Sequence, residues 1–361
     1  MKLLYIYDKM PETYQEYLIH LLKELKKKTS VKVLSYDNDS RADFNIKSYG
    51  VKDKLQRLAY KVKFSKFSSL DIKIMSEYDI IHIQHSYLFR KVMPFFKDLK
   101  KKPKIVITLR GADTYKKPWV SEKWREFYKE NSQYISAFIV MSNHQKKYVT
   151  KWGVSVDKIH CIPISFGDKS TSEPKFPSQN TLKLVSAFRM CWEKNIEGSV
   201  RLAKTLKEKK IPFSYDLYGD GDDLAQLYYL RERNDLMDEI NIKHKIDNIK
   251  LKQKLTDYDF FIQLSISEAL PTSVLEAQSK GVPCVVSNSD GLPEAVLNGK
   301  TAIVDEYSNY TLFANAIIEV WNNKEKYYSF SKEAIKNSND NFSTEIEVDK
   351  LMNLYKSLMT N

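Results

Sequence analysis

Two glutamates, Glu268 and Glu276, flank the start of a predicted helix, and the seven residues between them include a proline. An apolar run at Phe260–Leu264 predicts a strand before them. Pro271 suits the first position of a helix because it lacks the N–H that would be unpaired there. We therefore predict a helix over 272–280, with Glu268 before it and Glu276 about one turn inside it.

The start of this helix has the properties of an anion site. Free backbone N–H groups near Thr272 and Ser273, together with the positive end of the helix dipole, form an anion site where a phosphate could bind. Carboxylates accept paired hydrogen bonds from the vicinal hydroxyls of a ribose or a hexose. Taken alone, the acids also fit a bland alternative, in which they favour the helix N-terminus and line a solvated face.

Two cations and a glycine turn follow other predicted strands. Arg189 and Lys194 come after the strand Leu182–Ser186 and can place positive charge where a leaving diphosphate becomes more negative. By spacing alone they could equally be surface cations. The sequence LYGDGDD at 217–223 follows the next strand, and its residues Asp220 and Asp222 could be a metal-binding pair or part of a plain surface turn.

Strand-length apolar runs alternate with longer helix-period segments along the chain, which is typical of parallel sheets covered by helices. We predict an α/β chain of two doubly wound, Rossmann-like domains facing a cleft, over 1–168 and 169–361, joined by a Ser- and Pro-rich linker at 165–181. A last helix near 344–358 could pack back on the first domain. Ligands of such sheets bind beyond the carboxyl ends of the strands. The predicted strands are Leu3–Tyr7, Val31–Ser35, Ile80–Gln84, Ile105–Leu109, Ala137–Met141, Ile159–Ile162, Leu182–Ser186, Ser214–Tyr218, Phe260–Leu264, Pro283–Val286 and Ala302–Val304.

The composition is that of a globular protein, with 42% hydrophobic and 29% charged residues among 361. No stretch approaches the roughly 18 apolar residues that span a bilayer, and the N-terminal apolar run is too short for a signal peptide, so we expect a cytosolic protein. Cys161, Cys191 and Cys284 lie far apart without metal-site spacing. We interpret them as reduced core thiols.

Positive charge is concentrated in the first half of the chain. Residues 1–170 hold 34 Lys and Arg against 18 Asp and Glu, a net +16, whereas the remainder holds 24 against 28, a net −4. This asymmetry indicates contact with nucleic acid or an anionic lipid surface. The basic stretches at 51–67 and 97–104 favour a membrane surface, although the first could also be a solvated helix packed on the sheet.

The segment SEALPTSVLEAQSKGVPCVVSNSDGLPE resembles the donor-binding motif of retaining family 4 glycosyltransferases, which have the GT-B fold. The resemblance extends to LVSAFRMCWEKN and LYGDGDD. It implies that Glu268 orients the transferred sugar, that Glu276 binds the ribose, and that Arg189 and Lys194 hold the donor diphosphate without a metal or other cofactor. It further implies that the residues Leu270, Thr272, Ser273 and Gly219 contact the donor.

In this family the first domain binds the acceptor. The stretch DIIHIQHSYLF resembles its Asp-x-x-His strand, so His82 and His85 are expected either to face the cleft or to be core side chains. Arg110 occupies a position where many relatives have histidine, and Asp113 follows it. The loop DKMPETYQ after the first strand lacks the family's glycines, and His244 replaces another family glycine near the base-binding region.

The resulting hypothesis is a retaining, metal-independent hexosyltransferase. It would transfer a hexose from a nucleotide sugar to a lipid-linked glycan acceptor in bacterial lipopolysaccharide, capsule or exopolysaccharide synthesis, at the inner face of the cytoplasmic membrane. A catalytically inactive nucleotide-sugar-binding module is an alternative, and a nucleic-acid-binding protein is a weaker one because no recognition motif is found. The base, sugar, acceptor, linkage and oligomeric state stay open.

Overall fold

The protein is described here by a computed structural model over residues 1–12, 15–46, 51, 55, 69–96 and 103–360. The chain divides into two compact units. The first unit comprises Met1–Pro163 together with Glu347–Asn361, and the second comprises Ile164–Ile346. The basic stretches predicted at 51–67 and 97–104 lie almost entirely outside the described residues.

The first unit is built on a parallel sheet, in which the described strands lie in the order β3-β2-β1-β4-β5-β6-β7. Most strand residues are apolar and buried, as expected for strands covered on both faces. The chain leaves β1 toward β2 on one side and later toward β4 on the other, so a topological switch point lies between β1 and β4. The strands are β1 (Lys2–Tyr7), β2 (Ser30–Ser35), β3 (Phe44–Asn45), β4 (Ile80–Ile83), β5 (Lys104–Thr108), β6 (Ala137–Val140) and β7 (Ile159–Cys161).

The α-helices of this part of the chain are short apart from the first. Ser142 caps one of them, because its Oγ accepts a hydrogen bond from the Gln145 N–H at 3.2 Å. The described helices are α1 (Glu16–Lys28), α2 (Ser69–Met75), α3 (Phe89–Val92), α4 (Ala112–Tyr115), α5 (Lys117–Val120), α6 (Glu122–Glu126) and α7 (Asn143–Thr150).

One face of the first sheet is polar although it is buried. Successive strand side chains point to opposite faces, so residues two apart share a face. The other face is a normal apolar core that includes Leu4, Ile6, Ile81 and Ile83. The polar face carries what we call the buried polar row, whose members are all less than 5% exposed: Tyr5, Tyr7, His82, Gln84 and Thr108.

The second unit repeats the architecture with the described strand order β10-β9-β8-β11-β12-β13, again all parallel. Its switch point lies between β8 and β11. The strands are β8 (Leu182–Ala187), β9 (Phe213–Tyr218), β10 (Ile240–His244), β11 (Phe260–Gln263), β12 (Cys284–Ser287) and β13 (Ala302–Asp305). The helices are α8 (Ile196–Glu208), α9 (Leu224–Arg233), α10 (Asn248–Lys254), α11 (Thr272–Ser279), α12 (Tyr310–Asn322), α13 (Lys324–Phe342) and α14 (Thr344–Thr360).

All the predicted strands are present to within about two residues at each end. Two further strands, β3 and β10, were missed. Strand β3 has only two residues, and β10 has the sequence INIKH, which is partly exposed and too polar for a buried strand. Short or edge strands of this kind leave little periodic signal.

The predicted linker at 165–181 contains no helix or strand, but it packs on the second unit. The Ser178 N–H donates to Asp259 Oδ1 at 2.7 Å, and the Lys175 N–H donates to Ser331 Oγ at 2.9 Å. The predicted last helix is α14, which begins in the second unit and ends in the first. No described helix is long and apolar enough to cross a membrane.

Candidate functional site

The loops that follow β8 and β11, on either side of the second switch point, are tied together by hydrogen bonds. Asn195 Nδ2 donates to the carbonyl of Leu264 at 3.0 Å, and the Ile266 N–H donates to the carbonyl of Glu193 at 2.7 Å. Asn195 has φ 54° and also caps α8. Because Lys194 lies between Glu193 and Asn195, these bonds fix its backbone beside the end of β11.

A chain of polar side chains crosses this switch point. Lys194 Nζ contacts Glu268 Oε2 in an ion pair, and Gln263 Nε2 donates to the same oxygen at 3.2 Å. Ser273 Oγ in turn donates to Gln263 Oε1 at 2.9 Å. The Lys194 and Glu268 side chains are each 17% exposed, so they are largely desolvated but still reachable by a ligand. Two of the residues predicted from separate motifs are thus in direct contact.

The backbone of Glu268 is held from the loop after β12. Asp290 Oδ2 accepts hydrogen bonds from Ser267 Oγ at 2.6 Å and from the Glu268 N–H at 3.3 Å. The Gly291 N–H donates to the Glu268 carbonyl at 2.9 Å. Asp290 adopts φ 47°, a conformation that Asp tolerates better than most residues. The position of this carboxylate is therefore set by three loops.

Helix α11 begins at Thr272, as predicted, but Pro271 occupies the N-cap position and not the first helical position. No side chain caps this end, and Thr272 and Ser273 are half-buried. Leu270, just before it, is buried. The first-turn N–H groups of an uncapped helix and the positive end of its dipole favour an anion. This end of α11 is therefore suited to an anion. It lies next to Ser273, whose side chain is bonded to Gln263.

Glu276 lies inside α11 and has partners separate from those of Glu268. It is 3% exposed and accepts hydrogen bonds from Asn248 Nδ2 at 3.1 and 3.2 Å, while Lys252 Nζ lies 3.5 Å from its Oε1. The two acids therefore do not pair with each other, as predicted. Their separation leaves each carboxylate able to accept bonds from a different part of a ligand.

Arg189 is the least constrained of the predicted donor-binding residues. Its side chain is 70% exposed, and Nη2 lies 3.8 Å from Glu193 Oε1, which is a weak contact. The structure does not bring Arg189 into the chain of bonds formed by Lys194 and Glu268. A long exposed arginine can reach a ligand only by moving, so its role stays a prediction.

Gly219 is required by backbone packing. It has φ 133°, and a Cβ at this position would lie 1.9 Å from the carbonyl oxygen of Phe188. The Gly219 N–H donates to the carbonyl of His244 at 2.9 Å. His244 itself adopts φ 53°, which explains why a glycine suits this position in relatives, and its Nδ1 lies 2.9 Å from Asp220 Oδ1. Asp220 is thus engaged in the turn.

Metal binding is not supported by any cluster in the described part of the chain, where no group of three or more His, Cys, Asp or Glu could hold an ion. Metal independence stays a prediction. Cys161, Cys191 and Cys284 form no disulfide. Burial raises the pKa of the Cys284 thiol, in agreement with a structural role.

Of the two alternatives for His82, the ligand-facing one is wrong. The ring is 1% exposed, with Nδ1 2.6 Å from Tyr355 Oη and Nε2 2.7 Å from Thr108 Oγ1, so both nitrogens are satisfied within the first unit. Burial lowers the pKa of His82 to about 3, and Arg110 adds to the effect. His82 is therefore a neutral core side chain.

Asp113 is also structural. It is 8% exposed and accepts bonds from Ser86 Oγ at 2.6 Å and from the N–H groups of Arg110 and Gly111 at 3.2 and 3.1 Å. Burial raises its pKa despite these bonds. Asp113 was expected on the acceptor side, and in the structure its oxygens hold the turn after β5.

His85 and Arg110 are more accessible than His82 and Asp113. Both are half-buried. Arg110 Nη2 donates to Gln84 Oε1 at 2.8 Å. Burial lowers the pKa of His85 to about 4, with Arg110 as the next cause, so His85 is neutral near pH 7. These two residues remain candidates for binding an acceptor.

Several residues of the donor region were not predicted. Gln263 is a polar residue at the end of an apolar strand, and Asn195 directly precedes a helix, which is the favoured N-cap position for Asn. Both signals can be recognised in the sequence. The others come from distant loops and carry no local signal: Asp290, Asn248 and Lys252.

Comparisons with known families agree with this site. Residues 168–337 match the model of the family "Glycosyl transferases group 1", and residues 15–164 match "Glycosyltransferase Family 4". These two matches leave out residues 1–14, the joining residues 165–167 and residues 338–361.

Curated relatives match part of the chain. The UDP-Gal:alpha-D-GlcNAc-diphosphoundecaprenol alpha-1,3-galactosyltransferase of Escherichia coli is 27% identical over 51% of this chain and 47% of its own length. The amylovoran biosynthesis glycosyltransferase AmsK of Erwinia amylovora is 23% identical over 54% of this chain and 49% of its own. The matched region therefore spans about half the length of these relatives.

Solved structures share the fold over nearly the whole chain. Anabaena Alr3699/HepE, solved in complex with UDP and glucose, has a TM-score of 0.75 at 15% identity and covers 99% of this chain and 100% of its own. The sucrose-phosphate synthase of Thermosynechococcus elongatus has a TM-score of 0.76 at 16% identity, with 99% of both chains covered. With two family models matched in tandem and two Rossmann-like units, the chain belongs to the GT-B glycosyltransferases, with a family 4 region followed by a group 1 region.

Proposed function

We propose that this protein is a retaining glycosyltransferase that moves a hexose from a nucleoside-diphosphate sugar to a hydroxyl of a lipid-linked glycan acceptor in bacterial surface polysaccharide synthesis. The observation that carries the proposal is the ion pair between Lys194 and Glu268 beside the uncapped start of α11. A cation, an acid and free helix N–H groups are what a sugar diphosphate requires.

The donor assignments follow from these contacts. The N-terminus of α11 and Lys194 bind the diphosphate, and Glu268 accepts hydrogen bonds from hydroxyls of the transferred sugar. Glu276, whose charge is balanced by Lys252, binds the ribose. Binding the donor diphosphate divides the contacts of Lys194 between the phosphate and Glu268.

The reaction proceeds by attack on the face from which the leaving group departs. The bond from the anomeric carbon to the diphosphate oxygen breaks while the acceptor oxygen bonds to the same face, and the departing phosphate oxygen takes the acceptor's proton. Lys194 and the helix N-terminus stabilise the negative charge that develops on the diphosphate. Such fixed donors are most effective where water is excluded.

The lipid-linked acceptor is supported by a relative. The Escherichia coli protein is named for transfer to GlcNAc-diphosphoundecaprenol, an acceptor on a diphosphate lipid. We extend this acceptor class to the present protein, at the inner face of the cytoplasmic membrane. The net +16 of residues 1–170 would favour an anionic lipid layer.

A surface in the first unit suits such a layer. Trp119 and Val120 in α5 are 63% and 82% exposed. Trp119 Nε1 donates to Tyr148 Oη at 3.1 Å, and Lys151 Nζ lies 4.3 Å from the Tyr148 ring centre. Tryptophan and tyrosine with lysine beside them favour the headgroup region of a bilayer.

The test of the donor assignment is a screen of nucleotide sugars for thermal stabilisation, followed by a nucleoside-diphosphate release assay with and without lipid-linked acceptors. Arg189→Ala is expected to lower turnover about a hundredfold if the arginine reaches the diphosphate. Arg201→Ala, which removes an exposed arginine from α8 of the same unit, is the matched control. Stabilisation by a nucleotide sugar without release would instead support the inactive binding module.

Membrane association is tested by co-sedimentation with vesicles of phosphatidylglycerol and phosphatidylcholine. Trp119→Ser with Val120→Ser should weaken binding to the anionic vesicles, whereas Tyr229→Ser, at an exposed aromatic of the second unit, should not. Equal binding by both variants would contradict the assignment of this surface.

A further inference from the structure

The switch point of the first sheet carries a cluster that no motif identifies. Tyr7 is the last residue of β1, Gln84 directly follows β4, and Arg110 lies two residues after β5. These strands are neighbours in the sheet, in the order β1-β4-β5. We call these three residues the first-sheet cluster. It lies where ligands of open parallel sheets bind.

The arginine of this cluster has no carboxylate partner in the described structure. Arg110 Nη2 donates to Gln84 Oε1 at 2.8 Å and Nε to the Gln84 carbonyl at 3.4 Å, and the guanidinium forms no ion pair there. Asp113 is close in sequence, but it binds the backbone N–H of Arg110. A half-buried guanidinium with a free edge is suited to a carboxylate or phosphate.

Two buried hydrogen-bonding groups beside it lack partners among the described residues. They are Gln84 Nε2 and the Tyr7 hydroxyl, and both side chains are at most 1% exposed. The orientation of the Gln84 amide is fixed, because Arg110 can only donate and therefore requires the oxygen. Unpaired buried donors are costly, so native proteins retain few of them. Ligand oxygens would satisfy both.

The local electrostatic field is dominated by the arginine. Three acids act on these residues or directly beside them: Glu347 on Tyr7, Asp8 on the adjacent His85, and Asp113 with Arg110. Arg110 has a larger effect than Glu347 on the pKa of Tyr7 and a larger effect than Asp8 on the pKa of His85. The Asp8 carboxylate is also bonded by the Tyr87 hydroxyl at 3.1 Å. Arg110 is therefore the strongest charge acting on the Tyr7 hydroxyl, where it supplies the positive charge that an anion requires.

We propose that the first-sheet cluster binds an oxyanion of the acceptor, with Arg110 as the cation and Gln84 and Tyr7 as neutral donors. The oxyanion is either a phosphate of a diphosphate lipid or the carboxylate of an acidic sugar. That this anion belongs to an acceptor rests on the proposed function, whereas the anion site itself does not.

The test is calorimetric titration of the full chain with pyrophosphate, glucuronate and glucose. All titrations use a Lys194→Met background, which removes a cation of the donor site and weakens pyrophosphate binding there. Pyrophosphate or glucuronate, but not glucose, should bind. Arg110→Gln should weaken binding at least tenfold, and Gln84→Leu or Tyr7→Phe should weaken it several-fold. Arg90→Gln, which removes an exposed arginine of the same unit, should leave it unchanged.

Each outcome bears on the proposal. Tighter binding of pyrophosphate favours the lipid phosphate, and tighter binding of glucuronate favours an acidic sugar. The proposal is overturned if glucose binds as well as the acids, if neither acid binds, or if Arg110→Gln and Arg90→Gln behave alike. Tyr7→Phe removes only an unpartnered hydroxyl, so it keeps the test valid if Arg110→Gln misfolds. These titrations contain no nucleotide sugar, so they report on the anion site independently of glycosyl transfer. Intact anion binding together with absent transfer in the nucleoside-diphosphate release assay would refute the proposed function alone.

Discussion

The switch points of the two sheets differ in how their polar side chains are paired. In the second sheet, Lys194, Glu268, Gln263 and Ser273 are bonded to one another. In the first sheet, the Arg110 guanidinium forms no ion pair in the described structure, and Gln84 Nε2 and the Tyr7 hydroxyl are unpaired there. The site in the second sheet is therefore organised before a ligand binds. The site in the first sheet has unpaired groups whose bonds an anion would complete.

On the proposed function, the second site carries out the chemistry and the first site recognises the acceptor. Transition-state stabilisation requires groups that are held in place in advance, and the second site is held by three loops. Acceptor recognition requires groups whose bonds are completed by the ligand. A pocket that buries unpaired polar groups discriminates strongly against ligands that cannot satisfy them.

The largest expected effect concerns the rigidity of the second site. Gly219→Ala should destabilise the second unit by about 2–6 kcal/mol, because strained φ costs about 1–3 kcal/mol and the collision with the Phe188 carbonyl adds about 1–3 kcal/mol. The control is Gly167→Ala, which has nearly the same φ of 132° but no atom within 4 Å of the added Cβ. Thermal unfolding compares the two, and equal costs would show that the collision is relieved by backbone movement.

The next effect concerns the paired charges. Lys194→Met and Glu268→Gln should each lower turnover about a hundredfold, roughly 3 kcal/mol of transition-state stabilisation. Because the two side chains contact each other, the double variant should lose less than the sum of the single losses. Nucleoside-diphosphate release gives the rates. Lys336→Met, which removes an exposed lysine paired with Asp340, serves as the control.

The third prediction concerns the buried polar row of the first sheet. Unfolded His82 binds a proton near pH 6.5, but the folded protein binds it only near pH 3. Lowering the pH through this interval therefore favours unfolding, by about 2 kcal/mol between pH 6.5 and 5. His82→Gln should remove that part of the pH dependence, whereas His20→Gln on α1 should not. Thermal unfolding between pH 5 and 7 measures the slopes, and parallel curves for wild type and His82→Gln would contradict the neutral-core assignment.

The smallest effect compares a paired and an unpaired hydroxyl in the same row. The Tyr5 hydroxyl is 2.7 Å from the Tyr355 hydroxyl, whereas the Tyr7 hydroxyl has no partner in the described structure. Tyr5→Phe should cost about 1 kcal/mol, and Tyr7→Phe should be neutral or slightly stabilising. Denaturant unfolding measures both. A loss for Tyr7→Phe equal to that for Tyr5→Phe would show that Tyr7 is bonded in solution.

The fold and the donor region were largely predictable from sequence, for physical reasons. Parallel strands covered on both faces produce apolar runs that are bounded by loops, and the ordering of strands and helices follows from them. Glu268 and Lys194 lie in loops that directly follow such strands. Their contact was not predictable, because it depends on bonds from Asn195 and Asp290 that connect loops far apart in the chain.

The first unit was less predictable because its strands carry polar residues on a buried face. His82 looked available in sequence because it lies near a strand end, but Tyr355, 273 residues away, satisfies its Nδ1. Nothing near residue 82 encodes that partner. Conversely, Gln84 and Tyr7 looked unremarkable, since an unpaired buried atom can be recognised only when its surroundings are known.

The position of α14 has a consequence for biogenesis. Tyr355 completes the interior of the first unit, yet the ribosome adds it only after the entire second unit has been synthesised. Domains tend to fold as they emerge. The nascent first unit therefore lacks the final partner of Tyr5 and His82 until synthesis of the second unit is finished, so its interior cannot be completed before then.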